Sequence, residues 1–171
     1  MKTLTDATPV APTLAGQRVL VVGASSSVGP ELMAALLARG ATVVATSRSG
    51  EGFAVDDGVT PVALDLGQAS GIDAFAARVA REGWQFSAVI FLAGILPGKA
   101  LRDYSDQMMH EVMQTNFTGQ ASLIQRLLPT LLEDAHVLMM SSISGERGSF
   151  DPIYAASKAA QIAFVKSMAS W

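Results

Sequence analysis

The feature that most constrains the fold is a regular alternation of short apolar runs with longer segments of helical composition. Five apolar runs, several of them rich in valine, indicate buried strands: residues 18–22, 41–46, 59–64, 88–92 and 136–140. The segments of helical composition are residues 30–39, 72–82, 105–128 and 153–171. The sequence therefore predicts an α/β fold, in which helices cover both faces of a doubly wound parallel sheet in three layers.

Composition narrows the class of protein. The chain has 171 residues, of which 50% are hydrophobic and 16% are charged, so we expect one domain with a sizeable core. The net charge of −3 and the absence of a basic run argue against nucleic acid as a partner. There is no cysteine, and no apolar run reaches the ~18 residues that a membrane span needs. We expect a cytoplasmic protein with a flexible extension over residues 1–15 and a single domain over residues 16–171.

A glycine-flanked turn separates the first strand from the first helix. It runs from Gly23 to Gly29 and contains Ser25, Ser26, Ser27 and Val28. Backbone N–H groups at a helix N-terminus bind anions, and glycines let a pyrophosphate approach closely. We expect Gly23 to form the tight turn and Gly29 to make the close contact. The alternative is that the serines only cap the helix.

The end of the second predicted strand bears on the choice of cofactor. A dinucleotide site usually has an acidic residue there, which binds the ribose hydroxyl. This chain has Ser47 and Arg48 instead. A guanidinium can bind a 2′-phosphate with paired hydrogen bonds, so the sequence favours NADP(H) over NAD(H). The alternative is that Arg48 is a solvated loop residue.

Tyr154 and Lys158 stand four residues apart in the last predicted helix, so they share one face. A nearby ammonium favours the ionised phenol, which makes Tyr154 a candidate general acid/base and Lys158 its tuner. The alternative is a tyrosine that only packs on an exposed helix.

Several motifs in a characteristic order resemble the short-chain dehydrogenase/reductase family, from about residue 14 to the end. They are LAGQRVLVVGAS from Leu14, Asp65 within ALDL, LAG from Leu92, TNFTG from Thr115, SISG from Ser142 and YAASK from Tyr154. The resemblance implies a Rossmann fold and an NADP(H)-dependent oxidoreductase that acts on a small-molecule carbonyl or alcohol. It also implies a homodimer or homotetramer.

The resemblance also implies roles for individual residues. Tyr154 would exchange a proton with the substrate oxygen, and Ser142 would polarise that oxygen. Lys158 would tune Tyr154 and hold the nicotinamide ribose, while Asn116 would hold a water that links Lys158 to solvent. The implied cofactor contacts further along the sheet are Asp65 and Leu66 at the adenine, and Ala93 and Gly94 at the end of the fourth strand.

The chain departs from the family pattern in three places. Ser27 stands where a middle glycine is usual, and Phe91-Leu-Ala-Gly94 replaces Asn-Asn-Ala-Gly. Family members also continue into further strands, so we expect the C-terminal strands to be missing from this chain. These departures keep an alternative open, a non-catalytic NADP-binding sensor or partner-binding module. His110 and His136 lack neighbouring ligand residues, and we expect no metal.

Overall fold

The computed structural model describes residues 13–170, and its centre is one five-stranded sheet. The strands are β1 (Arg18–Val22), β2 (Thr42–Ser47), β3 (Val59–Ala63), β4 (Phe86–Phe91) and β5 (Leu131–Met139). All pairings are parallel, and the strand order is β3-β2-β1-β4-β5. The predicted parallel α/β architecture is confirmed.

The helices follow the strands in the predicted alternation. They are α1 (Gly29–Ala38), α2 (Ala69–Arg81), α3 (Asp106–Met113), α4 (Gly119–Leu127), α5 (Ser144–Arg147) and α6 (Pro152–Met168). No helix intervenes between β2 and β3, and their link, residues 48–58, is rich in Gly and Asp.

The two faces of the sheet carry separate apolar cores because successive side chains of a strand point to opposite faces. Leu20 and Val22 of β1 belong to a core that includes apolar residues of α2 and α4. Val19 and Val21 belong to a core on the other face, which includes Met33 of α1. Burial of β1 on both faces explains its uninterrupted apolar sequence.

The fifth strand is longer than expected. The sequence predicts this strand only over the apolar residues 136–140, whereas β5 begins at Leu131. The register to β4 is irregular between these two points, where Phe86 pairs with Leu131 but Ala88 pairs with His136. The strand therefore has extra residues at this irregularity, which hydrophobic periodicity does not reveal.

The long helix predicted over residues 105–128 is interrupted. A π-helical turn, Gln114–Thr118, separates α3 from α4 and contains the buried Asn116. Single π-helical turns inside α-helices are frequent at functional sites.

Most of the expected N-terminal extension, residues 1–12, lies outside the described residues, and so does Trp171. Residues 13–15 lie against the end of α1, where the Leu14 N–H donates to the Arg39 carbonyl at 2.7 Å. Within residues 13–170, no helix has the length and apolarity that crossing a membrane requires.

Candidate active site and cofactor cavity

A cavity of about 1240 Å³ opens at the carboxyl ends of the strands. It lies where the strand order reverses beside β1, the usual position for ligands in open parallel sheets. Its wall is formed by residues at the ends of the first four strands and by parts of α3 and α6. These are Gly23, Ser25 and Ser26 after β1, Ser47 and Arg48 at the end of β2, residues 64–69 after β3, residues 92–95 after β4, several side chains of α3, and Ile153 and Ala156 of α6.

The turn after β1 needs both of its flanking glycines for packing. Gly23 has φ +90°, and a Cβ there would lie 2.5 Å from the Ala93 backbone nitrogen. A Cβ on Gly29 would overlap the carbonyl oxygen of Ala24. Gly23 therefore brings the end of β1 against the end of β4, as a tight turn should. Gly29 closes the turn on itself and does not line the cavity.

The N-terminus of α1 is available to an anion. No described side chain donates or accepts a capping hydrogen bond there, so the alternative that the serines cap this helix is wrong. The Oγ atom of Ser26 is buried at the cavity and has no hydrogen-bond partner within residues 13–170. Uncapped N–H groups beside an unpaired hydroxyl suit a phosphate group, so these residues fit a dinucleotide.

Two of the predicted phosphate-site residues take other positions. Ser27 and Val28 are exposed and are absent from the cavity wall as far as residues 13–170 define it. The serine that replaces the family's usual middle glycine therefore does not line this cavity.

The predicted ribose and adenine contacts line the middle of the cavity. Arg48 is exposed at its wall, and the neighbouring Ser47 Oγ donates to the Glu51 carbonyl at 2.6 Å. Asp65 accepts the Gly67 N–H on Oδ1 at 2.8 Å, and Leu66 accepts the Gln114 side-chain amide on its carbonyl at 2.9 Å. These hydrogen bonds hold the Asp65 side chain and the Leu66 backbone in place.

Tyr154 and Lys158 lie on the N-terminal half of α6. The Lys158 ammonium is 5.7 Å from the centroid of the Tyr154 ring and donates to the Met140 carbonyl at 2.8 Å. Lys158 is only 5% exposed, and burial lowers the pKa of its ammonium. The predicted pair shares one face, with its cation held close to the phenol ring.

Ser142 lies between the end of β5 and the start of α5. Its Oγ accepts the Ser144 N–H at 3.2 Å, which orients the side chain. The preceding Ser141 Oγ donates to the Lys158 carbonyl at 2.9 Å. The segment that carries Ser142 is therefore bonded to the helix that carries Tyr154.

Asn116 is fully buried in the π-helical turn. Its side chain donates to the Ile95 carbonyl at 2.9 Å and to Ser157 Oγ at 3.0 Å, and it accepts the Ile95 N–H at 2.7 Å. Ser157 Oγ in turn donates to the Tyr154 carbonyl at 2.7 Å. Asn116 thus joins the segment after β4 to α6.

Gly94 shows how close the predicted residues come to one another. A Cβ on Gly94 would lie 3.4 Å from both Asn116 Oδ1 and Lys158 Nζ. Gly94 and the neighbouring Ala93 line the cavity, so Asn116 and Lys158 stand immediately behind its wall. Tyr154 and Lys158 do not themselves line the cavity among the described residues, but Ile153 and Ala156 of the same helix do.

Sequence reasoning missed two residues beside this site. Asp151 is 3% exposed and caps α6 by accepting the Tyr154 N–H at 2.9 Å. Tyr104 donates its hydroxyl to Asp151 at 2.7 Å. Asp151 followed by Pro152 is a recognisable helix start, but nothing in the sequence pointed to Tyr104 as a partner.

His110 and His136 are the two histidines of the chain. No group of three or more potential ligands occurs anywhere in residues 13–170. His110 lies at the cavity wall, and its Nδ1 contacts the Asp106 carbonyl oxygen at 2.7 Å.

Comparison with known proteins finds relatives that match most of this chain. Epidermal retinol dehydrogenase 2 from Homo sapiens is 32% identical over 170 residues, covering 91% of this chain and 54% of that protein. A 3-oxoacyl-[acyl-carrier-protein] reductase from Vibrio cholerae is 30% identical over 164 residues, covering 91% of this chain and 67% of its own length. Ketoacyl reductase HetN from Nostoc is 29% identical, with 91% and 58% covered. The chain thus spans about half to two thirds of the length of these curated relatives.

Solved structures show the same fold. A short-chain dehydrogenase from Streptomyces avermitilis superposes with a TM-score of 0.81 at 28% identity, covering 90% of this chain and 60% of that one. A short-chain dehydrogenase/reductase from Brucella melitensis has a TM-score of 0.81 at 20% identity, with 94% and 71% covered. The sequence profile of the short chain dehydrogenase family matches residues 17–170. The chain therefore belongs to the short-chain dehydrogenase family.

Proposed function

We propose that the protein interconverts a small-molecule carbonyl and its alcohol with NADP(H), using Tyr154 as general acid/base. The observation that carries this proposal is the position of Tyr154 and Lys158. Their helix lines one side of the cavity through Ile153 and Ala156, while Ser25 and Ser26 of the turn before α1 line the same cavity. One cavity can therefore hold a dinucleotide with its reactive end near the phenol.

The residues that would hold the cofactor come from four strand ends. Ser26 and the N-terminus of α1 suit the pyrophosphate, and Arg48 suits a 2′-phosphate. Asp65, Leu66, Ala93 and Gly94 complete the proposed contacts along the cavity wall. When bound, the nicotinamide supplies or accepts the hydride.

The protein's own groups handle the proton. In the reduction direction Ser142 donates a hydrogen bond to the substrate oxygen, and Tyr154 gives its proton to the alkoxide as charge develops there. Lys158, with its ammonium 5.7 Å from the phenol ring, stabilises the negative charge that this transfer leaves on Tyr154. In the proposed relay, Asn116 holds a water that connects Lys158 to solvent.

Replacing Tyr154 with Phe tests the role of the phenol. The purified protein is supplied with NADPH and a panel of ketones and aldehydes, and loss of the reduced cofactor is followed. We expect the wild type to turn over at least one carbonyl and Tyr154→Phe to lose about 10²- to 10⁴-fold of that rate, since the general acid is gone. The Kd for NADPH should stay unchanged.

Two results would contradict the proposal in different ways. NADPH binding without turnover of any carbonyl would favour the non-catalytic sensor or partner-binding module. Turnover that persists in Tyr154→Phe would mean that another group transfers the proton.

The assembly expected from the family is part of the same proposal. Ala159 is exposed on α6, where its small side chain would let a second copy approach closely. We infer a homodimer or homotetramer, and a monomeric mass by light scattering would contradict it.

A further inference from the structure

A buried carboxylate beside the proposed site joins three segments of the chain. Asp151 accepts the Tyr154 N–H on Oδ1 at 2.9 Å. Its Oδ2 accepts the N–H groups of Gly98 at 2.9 Å and Lys99 at 3.2 Å. The Tyr104 hydroxyl donates to both oxygens, at 2.7 and 2.9 Å. Four donors therefore converge on one side chain that is 3% exposed.

These contacts exceed what a helix cap requires. Ser105 caps α3 by accepting a single N–H, that of Met108, at 3.2 Å. Asp151 caps α6 in the same way with one oxygen, but its other oxygen reaches the loop between β4 and α3. We call residues 92–105 the β4–α3 loop. The second oxygen has no role in capping, so it serves the loop.

The protonation states of Asp151 and Tyr104 suit the hydrogen bonds that they make. Burial raises the pKa of Asp151, but the hydrogen bonds from Tyr154, Tyr104, Lys99 and Gly98 outweigh it and hold that pKa below its ordinary value. Burial, the hydrogen bond to Asp151 and the charge of Asp151 all raise the pKa of Tyr104. Near neutrality Asp151 is thus an acceptor on both oxygens and Tyr104 is a donor.

The β4–α3 loop borders the proposed active site. Its residues Leu92 to Ile95 line the cavity, and Ile95 is bonded on both backbone groups to Asn116. Asp151 provides a second attachment three residues further along, at Gly98. Asn116 therefore holds the loop at Ile95, and Asp151, which caps the helix that carries Tyr154, holds it at Gly98.

We propose that Asp151 is a positioning residue that holds the β4–α3 loop and Tyr154 in one fixed arrangement, so that it sets how a carbonyl substrate meets the phenol. This inference rests on the proposed function. Asp151 does not touch the reacting atoms and acts through the Tyr154 backbone and the loop.

Two substitutions separate the two attachments. Asp151→Asn keeps an oxygen for the Tyr154 N–H, but its amide group would face the N–H groups of Gly98 and Lys99, donor against donor. It should release the loop and keep the helix cap. Asp151→Ala removes both attachments. Ser105→Ala removes a cap from the neighbouring helix α3 and is the matched control.

Amide hydrogen exchange resolved by residue, in the purified protein without substrate, measures the attachments. We expect Asp151→Asn to lose protection at Gly98 and Lys99 only, and Asp151→Ala to lose it at Tyr154 as well. Ser105→Ala should change none of these three amides. Unchanged protection in Asp151→Ala would overturn the inference, whether or not the protein is an enzyme.

Steady-state kinetics measure the consequence, with kcat expressed per NADPH-binding site so that a loss of folded protein does not count. We expect Asp151→Asn to raise the KM for the carbonyl about tenfold, and Asp151→Ala also to lower kcat about 10- to 100-fold, because a small misplacement of a reacting group is costly. The Kd for NADPH should not change.

The outcomes distinguish this inference from the proposed function. If the wild type turns over a carbonyl and Asp151→Ala matches its kcat and KM, Asp151 is only a structural cap and the inference is overturned. If the wild type reduces no carbonyl, the proposed function fails, and the exchange data alone decide whether Asp151 holds the loop to α6.

Discussion

The Lys158 ammonium donates a hydrogen bond to the Met140 backbone carbonyl at 2.8 Å. The Lys158 backbone carbonyl accepts a second bond from Ser141 Oγ at 2.9 Å. One residue of α6 is thus bonded through its side chain and its backbone to the segment that leads from β5 to Ser142. The relative position of Ser142 and Tyr154 depends on these two contacts.

The lowered pKa of Lys158 predicts a pH-dependent cost of folding. Because burial lowers that pKa in the folded state, the unfolded chain binds more protons between the folded value and the ordinary value of 10.5. Burial of Lys158 therefore costs the most stability at pH values below the folded pKa. The cost becomes smaller as the pH rises from that pKa towards 10.5. We expect the unfolding free energy of wild type to rise relative to Lys158→Met over this range in urea titrations.

Lys166→Met is the matched control because Lys166 is an exposed lysine of the same helix. Its difference from wild type should stay flat over the same pH range. A flat difference for Lys158→Met as well would mean that the buried site does not disfavour the ammonium.

Gly145 of α5 packs closely against the backbone of α6. A Cβ there would lie 2.7 Å from the Lys158 carbonyl carbon and 2.8 Å from the Ala159 nitrogen, both backbone atoms that cannot turn aside. We expect Gly145→Ala to lower the unfolding free energy by about 1–3 kcal/mol, as overpacking does. Glu146→Ala changes an exposed residue of the same short helix and should stay within about 0.5 kcal/mol of wild type in urea titrations. Equal stability of the two variants would contradict this packing.

Arg48 is the test of cofactor choice. If its guanidinium binds the 2′-phosphate, Arg48→Ala should weaken NADPH by about 1.5–3 kcal/mol, since a charge-assisted hydrogen bond is lost, and leave NADH nearly unchanged. Calorimetric titration with each cofactor measures both affinities. Arg81→Ala, an exposed arginine away from the cavity wall, is the control and should affect neither. Equal losses for the two cofactors would show that Arg48 does not distinguish them.

The parts of the fold that local sequence determines were predicted well. The valine-rich run of β1 and the glycine-flanked turn before α1 carry their structure in their own residues, because burial on both faces and positive φ restrict which amino acids fit. The spacing of Tyr154 and Lys158 likewise follows from helix geometry alone. Motif order then indicated the family.

The errors fall where distant residues decide local geometry. The π-helical turn at Asn116 depends on contacts with Ile95 and Ser157, which lie 21 and 41 residues away. The early start of β5 depends on its pairing with β4. Neither has a periodic signal, because the stabilising partner is absent from the local window.

By itself, the sequence determined the class of fold, the position of the glycine-rich turn and the candidate residues Ser142, Tyr154 and Lys158. Only the tertiary structure decided that Asp151 and Tyr104 meet, 47 residues apart, and that this carboxylate also binds the β4–α3 loop. The physical reason is that a buried carboxylate takes its donors from whichever backbone the fold brings beside it. A residue's own type does not disclose those donors.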